Sequence, residues 1–436
     1  MKHITFTKYK SHIRQMPHIR HSTATAAGTA LRTWTAMLAI LLTQSTTAAA
    51  SNAAEAGDSV LEVMLRVNDF YINNHPDPTT PTFVGRERPS NLWTRGVYFE
   101  GLSALCSICP KEEYLDYIRR WGDFHEWKPR NGITTRNADD YCCGQTYIDM
   151  YNLYGEDKMT ANVLAHANML VETPQLSDWW WVDALQMGMP YLAKMGRTTG
   201  DSRYYATMRD MYMWTRDTND GGLFNESDGL WWRDPDFNAP YTEPNGADCY
   251  WSRGNGWAYA ALTRVIAEMK ADTANLSFLY NETSKKDNGE RDDYGYKRYV
   301  EDFRLMSKAI KDCQRDDGFW NCSLHDGTHF GGPETSGTAL FVYGLAYGIR
   351  TGLIDSETYM PTVTKAWNAI AHKAIHDNGF IGYVQGTGKE PKDGQPTGYD
   401  NKPDFDDFAT GCVLLAGSEF FKMTHNRDSI PATSTR

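Results

Sequence analysis

The sequence predicts an all-α protein, an (α/α)6 barrel built as a six-hairpin toroid, and three observations carry that expectation. Apolar helical stretches recur near Gly101, Gly144, Gly188, Gly256, Gly337 and Gly411, each reading as a helix that opens on a glycine and ends in a polar turn. Most are followed by a more polar amphipathic stretch, as at Tyr204 to Arg216 and Tyr359 to His372. Hairpins repeated at tens of residues must stack, because one hairpin cannot bury its own apolar face. The third observation is the contrast within each pair: the more apolar helices suit an inner ring wrapped by an amphipathic outer one. An open solenoid would need a polar cap at each end, and none is evident.

Ahead of the repeats, residues 1–50 read as a signal peptide. Lys2, Lys8, Lys10, Arg14, Arg20 and Arg32 form a basic leader without a single acid. The apolar run from Ala36 to Leu42 follows, then the small-residue exit Ala48-Ala49-Ala50. That order is the one a secretory signal requires. Met16 is a second possible start, giving a leader of ordinary length. The apolar run is too short to cross a bilayer, and no cysteine near the exit offers a lipid anchor. Residues 51–436 are then one barrel domain, exported to the periplasm or beyond the cell.

Composition narrows the partners. A net charge of -11 argues against nucleic acid and anionic membrane surfaces, which reward clustered Lys and Arg. An anionic sugar stays compatible, since one well-placed arginine outweighs the global field locally. The 13% aromatic content supplies rings for stacking on sugars. The 8 cysteines leave their pairing unspecified. Cys106 and Cys109 share a C-x-x-C spacing but lie in an apolar helical pattern without a second such pair, so a structural role is expected rather than zinc. Asp217, Asn219 and Asp220 lack the spacing of a calcium loop. No metal or cofactor is expected. The polar insert from Lys270 to Arg298 reads as a surface loop.

If the six inner helices run the same way, their lead-ins gather at one end of the barrel. Those lead-ins are Trp93-Thr94-Arg95, Asn137-Ala138-Asp139-Asp140, Trp181-Val182-Asp183, Trp251-Ser252-Arg253, Glu334-Thr335-Ser336 and the aspartates Asp404, Asp406 and Asp407. Ordinary helix caps are Ser, Thr, Asn and Asp without tryptophan. A rim of carboxylates, arginines and indoles therefore points to a cleft. Its densest sector is Ser177 to Pro190, SDWWWVDALQMGMP. Trp179, Trp180 and Trp181 cannot all face one core, because neighbouring side chains diverge. Asp183 at the head of an apolar run has two readings, a partner of the helix dipole or a proton-transfer group.

These segments carry a family resemblance. Asn137-Ala138-Asp139-Asp140, WWWVDAL around Asp183, WSRGNGW from Trp251 to Trp257, ETSGTALFVY from Glu334 to Tyr343 and VQGTG from Val384 to Gly388 occur in that order. Together, from about Trp93 to Met423, they resemble the unsaturated glucuronyl and rhamnogalacturonyl hydrolases of glycoside hydrolase families 88 and 105, and family 105 more closely. The resemblance implies the (α/α)6 fold already expected. It also implies an oligosaccharide substrate ending in a 4,5-unsaturated uronic acid, left by a polysaccharide lyase. Unlike glycosidases that attack the anomeric carbon, such enzymes hydrate the C4=C5 vinyl ether.

By the same resemblance Asp183 is the principal acid/base and Asp139 the second catalytic carboxylate, with Asp140 the neighbour to test if Asp139 fails. Trp181, Trp251 and Trp257 match sugar-stacking or wall positions, and Arg253 matches a substrate-binding arginine. Trp179 and Trp180 are expected to pack, and Glu334, Thr335 and Ser336 to cap a helix. Some relatives place a substrate histidine about a dozen residues before the acid; Glu172 and Thr173 stand there in this chain, and His166 lies in an apolar stretch. A conventional inverting glycosidase or endo-mannanase on the same barrel is the enzymatic alternative. A non-catalytic glycan-binding protein is the third reading.

Overall fold

The computed structural model describes residues 60–276 and 293–425, so the expected leader and most of the polar insert lie outside the described residues. In chain order the helices are α1 (60–74), α2 (Trp93–Cys106), α3 (Glu112–Phe124), the single turn α4 (Ala138–Tyr141), α5 (Gly144–Tyr154) and α6 (Ala161–Glu172). They continue as α7 (Asp183–Thr199), α8 (Arg203–Asp217), α9 (Ser252–Ala271), α10 (Tyr296–Asp312), α11 (Thr335–Thr351), α12 (Ser356–Ala369) and α13 (Asp407–His425). Two hairpins interrupt them, β1–β2 (Thr82–Val84 with Arg86–Arg88) and β3–β4 (Phe224–Asn225 with Leu230–Trp231).

The six stretches expected inside form a closed ring in the order α2, α5, α7, α9, α11, α13 and back to α2. Their burial explains why. Helix α11 is buried on every face from Thr335 to Ile349, and α7 from Asp183 to Gly196. The outer helices bury one stripe instead: α3 hides Tyr114, Tyr117, Ile118 and Trp121, the spacing of a single helical face. The described chain enters on an outer helix and finishes on an inner one. Helix α1 therefore closes the toroid, with Tyr98 on α2 donating to Asn68 on α1 at 2.9 Å.

The glycines do not open these helices, with the exception of Gly144. Gly101, Gly256, Gly337 and Gly411 lie where inner helices approach most closely, and Gly188 lies against the Trp179 indole. A Cβ on Gly101 would sit 2.5 Å from the carbonyl oxygen of Gly411 on α13, so only glycine permits this contact. All eight cysteines are free thiols. No helix among the described residues is long and apolar enough to cross a membrane.

The inner helices share one direction, because their first turns meet. Arg95 at the start of α2 pairs with Asp407 at the start of α13 at 3.2 Å. Arg253 on α9 reaches Ser336 on α11 at 3.3 Å. Below this rim the lumen is filled. Glu100 on α2 pairs with Arg264 on α9, directly across the ring, and also accepts from Gln186 (2.9 Å) and from the Cys142 thiol (3.3 Å).

Candidate active site

Three chain segments build the rim sector around Asp183. The short helical turn Leu176–Trp179 leads into it, and α7 begins on Asp183 itself. The backbone N–H of Val182 donates to the carbonyl of Arg233 at 2.8 Å, which holds the loop after β4 against the acid. On the other side Asn137 caps α4, accepting from the Asp139 N–H at 3.0 Å. Successive residues of that turn diverge. Asp140 turns inward to Arg130, Asn131 and Thr135, while the half-buried Asp139 carboxyl makes none of these contacts.

This contrast decides between the paired aspartates. Asp140 is buried and fully engaged, a structural acid. Asp139 keeps a partly open edge, and its carboxyl has no hydrogen bond or ion pair among the described residues. Burial, reinforced by the charge of Asp183, pushes Asp139 up to about 7 against the pull of Arg130 and Arg233. Asp183 is also raised by burial, opposed by the charges of Arg233 and Arg253. It is 9% exposed, and its Oδ2 accepts from Arg233 Nε at 3.0 Å. Two neighbouring carboxyls of this kind hold one proton between them near neutrality.

The tryptophans sort differently from expectation. Trp179 packs as expected, fully buried, its indole N–H donating to Tyr141 at 2.7 Å. Trp180 does not pack: it is 47% exposed, 5.0 Å from Trp181 and with the Arg233 guanidinium 5.8 Å from its ring centre. Trp181 retains 6% exposure beneath it. The WSRGNGW residues are buried throughout. The Trp251 indole donates to Gln385 at 2.8 Å and is buried. Trp257 is covered by Trp93, whose half-buried ring meets it edge-on at 6.0 Å.

Arg253 departs furthest from the expected sugar contact. It is 1% exposed, and its terminal nitrogens donate to the carbonyls of Gln385 (2.7 Å) and Gly386 (2.6 Å). A guanidinium so committed shapes the VQGTG loop and lends Asp183 its charge, but offers a substrate no open surface. Asn255 of the same motif bridges the main chains of Trp231 and Trp251 at 3.0 Å each. Glu334 caps α11 as expected, accepting from the N–H groups of Ser336 (3.0 Å) and Gly337 (2.6 Å). His166 is structural: it bonds Tyr191 at 2.8 Å and the Thr135 carbonyl at 3.0 Å, and burial lowers it to about 4.

Sequence reasoning passed over Arg233 and Gln385, and it read Trp180 as packed where the structure leaves it open. The run Trp231-Trp232-Arg233-Asp234 carried the same mixture of indoles and charges as the rim lead-ins, but no inner helix begins directly after it.

The chain has recognisable relatives among known proteins. The Glycosyl Hydrolase Family 88 model matches residues 63–424. An "Unsaturated 3S-rhamnoglycuronyl hydrolase" of an Alteromonas species is 31% identical over 354 residues, covering 76% of this chain and 77% of the relative. One of the same description from Formosa agariphila is 27% identical over 351 residues, covering 76% and 84%. A solved family 88 glycosyl hydrolase from Bacteroides vulgatus superimposes with a TM-score of 0.71 at 30% identity, covering 84% of this chain and 99% of that one. The barrel whose rim joins Asp139 to Asp183 is thus a glycoside hydrolase, and the chain belongs to glycosyl hydrolase family 88.

Proposed function

We propose that the protein removes a 4,5-unsaturated uronic acid from the non-reducing end of lyase-generated oligosaccharides, by hydrating the C4=C5 double bond. The observation that carries this is the Asp139–Asp183 pair, in which one proton is retained to about pH 7 and the Asp139 carboxyl has no partner among the described residues. A vinyl ether needs one proton delivered to carbon and one taken from water. In this reading Asp183 gives its proton to C4, and the positive charge that forms at C5 is shared with the ring oxygen. With the shared proton on Asp183, Asp139 is the ionised partner that stabilises that charge. Water adds to C5, Asp183 recovers a proton from it, and the hemiketal opens and expels the next sugar. Trp180 and Trp181 supply the stacking surface. The description shared by two relatives makes unsaturated 3S-rhamnoglycuronyl oligosaccharides the first substrates to try.

The test is ultraviolet absorbance of the double bond during incubation with unsaturated disaccharides derived from ulvan, pectin, arabinogalactan and glycosaminoglycans. Loss of absorbance with at least one is expected. No loss on any, or a rise that signals elimination, would sink the reading. Export to the periplasm or medium, where lyase products accumulate, is part of the proposal. Fractionation that leaves the full-length chain in the cytoplasm would contradict it.

A further inference from the structure

Arg233 is the cation built most closely into the acid pair, and neither the motif pattern nor the family description assigns it a part. It lies 50 residues from Asp183 in sequence and reaches it from the loop after β4. The guanidinium divides its donors. Nε donates to Asp183 Oδ2 at 3.0 Å, and Nη1 donates to Asp234 Oδ2 at 2.6 Å. Asp234 is itself buried, and its other oxygen accepts the N–H of Asp236 at 3.0 Å, so it cannot swing. The main chain of Arg233 is pinned at 2.8 Å to Val182, immediately before the acid. Backbone and side chain of one residue therefore both grip the start of α7.

We propose that Arg233 is a positioning residue: it fixes the rotamer of Asp183 and reserves Oδ1 as the oxygen that exchanges a proton with substrate. Among the described residues Oδ1 accepts no side-chain hydrogen bond. Because Arg233 permanently occupies Oδ2, the neutral acid carries its proton on Oδ1, the oxygen left for C4. After transfer the same cation stabilises the carboxylate that must take a proton from water. A guanidinium suits this task because its planar fork holds two carboxylates at fixed angles and stays charged. The other charged groups bearing on the pair are Arg253 from α9, Arg130 and Asp140 beside Asp139, and Asp234 behind Arg233. With Arg253 committed to the VQGTG loop, Arg233 is the cation in direct contact with the acid.

The proposal rests on the hydration reading above, so the experiment first requires that wild-type protein consume an unsaturated disaccharide. Arg233→Gln and Arg233→Lys are then compared with it for kcat, KM and the pH profile of kcat/KM. Loss of the cation makes both carboxyls weaker acids. In Arg233→Gln both limbs of the profile are expected to move to higher pH, the acidic limb by about one unit, with kcat down at least tenfold and KM changed less than threefold. Arg233→Lys keeps charge without the fork, so its limbs should return toward wild type while kcat stays depressed. Thermal melting of each variant reports folding separately. If Arg233→Gln folds and its profile superimposes on wild type, or if the loss falls on KM alone, the positioning role is overturned. Should Arg233→Gln unfold, an Arg233→Lys variant with wild-type kcat overturns it equally. An inert wild type would overturn the hydration reading and this inference together, whereas active wild type with unshifted variants removes only the inference.

Discussion

Two acids of one barrel, Glu100 buried in the lumen and Asp139 half-buried at the rim, show how the same group meets opposite surroundings. Glu100 is saturated: Arg264 meets it from across the ring, and Gln186 and Cys142 complete its acceptors. Such a pair ties α2 to α9 and fills the space under the site. Asp139 is surrounded by nearly as much protein but has no partner among the described residues, and its proton is held to about 7. Burying an unpaired carboxyl costs stability that a fully bonded one does not. Such costs cluster at functional sites, which makes Asp139 a candidate for one. The difference teaches which buried charge to suspect: the one left unsatisfied.

Mutations can break this comparison at either end. The largest effect is expected at Asp183→Asn, which keeps shape and the contact with Arg233 but removes the exchangeable proton. Turnover should fall by about 10²–10⁴-fold, the usual range for a positioned acid/base, while the melting temperature stays near wild type. Retained turnover would return Asp183 to a helix-dipole role. Glu100→Gln should do the reverse. It strands Arg264 in the lumen, a loss of about 3–5 kcal/mol when one partner of a buried pair is removed, read as an earlier urea midpoint. A midpoint unchanged from wild type would show the lumen pair to be dispensable.

The smallest effect, and the most diagnostic, is the pH dependence of stability at Asp139→Asn. The folded carboxyl is raised above its unfolded value, so both states are protonated well below pH 4 and nothing is lost there. As pH rises from about 4 toward 7 the unfolded chain ionises first, and folding loses stability until the native group also ionises. A carboxyl that keeps its proton to about 7 instead of releasing it near 3.8 loses at most about 4 kcal/mol this way. Asp139→Asn should therefore gain stability relative to wild type between about pH 3 and pH 8. Its activity should fall at every pH. No such gain between the two pH values would mean that Asp139 is solvated and ordinary.

The six inner helices were legible because each is apolar all round, a pattern that only a helix enclosed by others can sustain. Their shared direction was a supposition from sequence, and the meeting of Arg95 with Asp407 and of Arg253 with Ser336 supplied it. Asp183 stood out as an acid directly before an apolar run, and α7 indeed starts on it. The glycines were misjudged for a physical reason. A glycine that starts a helix and one that lets two helices touch look alike in one dimension, and Gly101 against Gly411 is the second kind. WSRGNGW was recognisable as a motif, but its Trp251 and Arg253 bond to Gln385, more than 130 residues away. No local pattern says whether such donors are spent on the protein or kept for a sugar.

Local sequence alone thus determined the helical periodicity, the count of inner helices and the identity of the acid at the head of α7. These depend on residues within a turn or two of each other. Tertiary structure alone decided which of three adjacent tryptophans is open, which of two adjacent aspartates is unpaired and that Arg233 grips Asp183. Those outcomes depend on long-range neighbours that desolvate one group and satisfy the next, and burial and pairing together make a carboxyl structural or reactive.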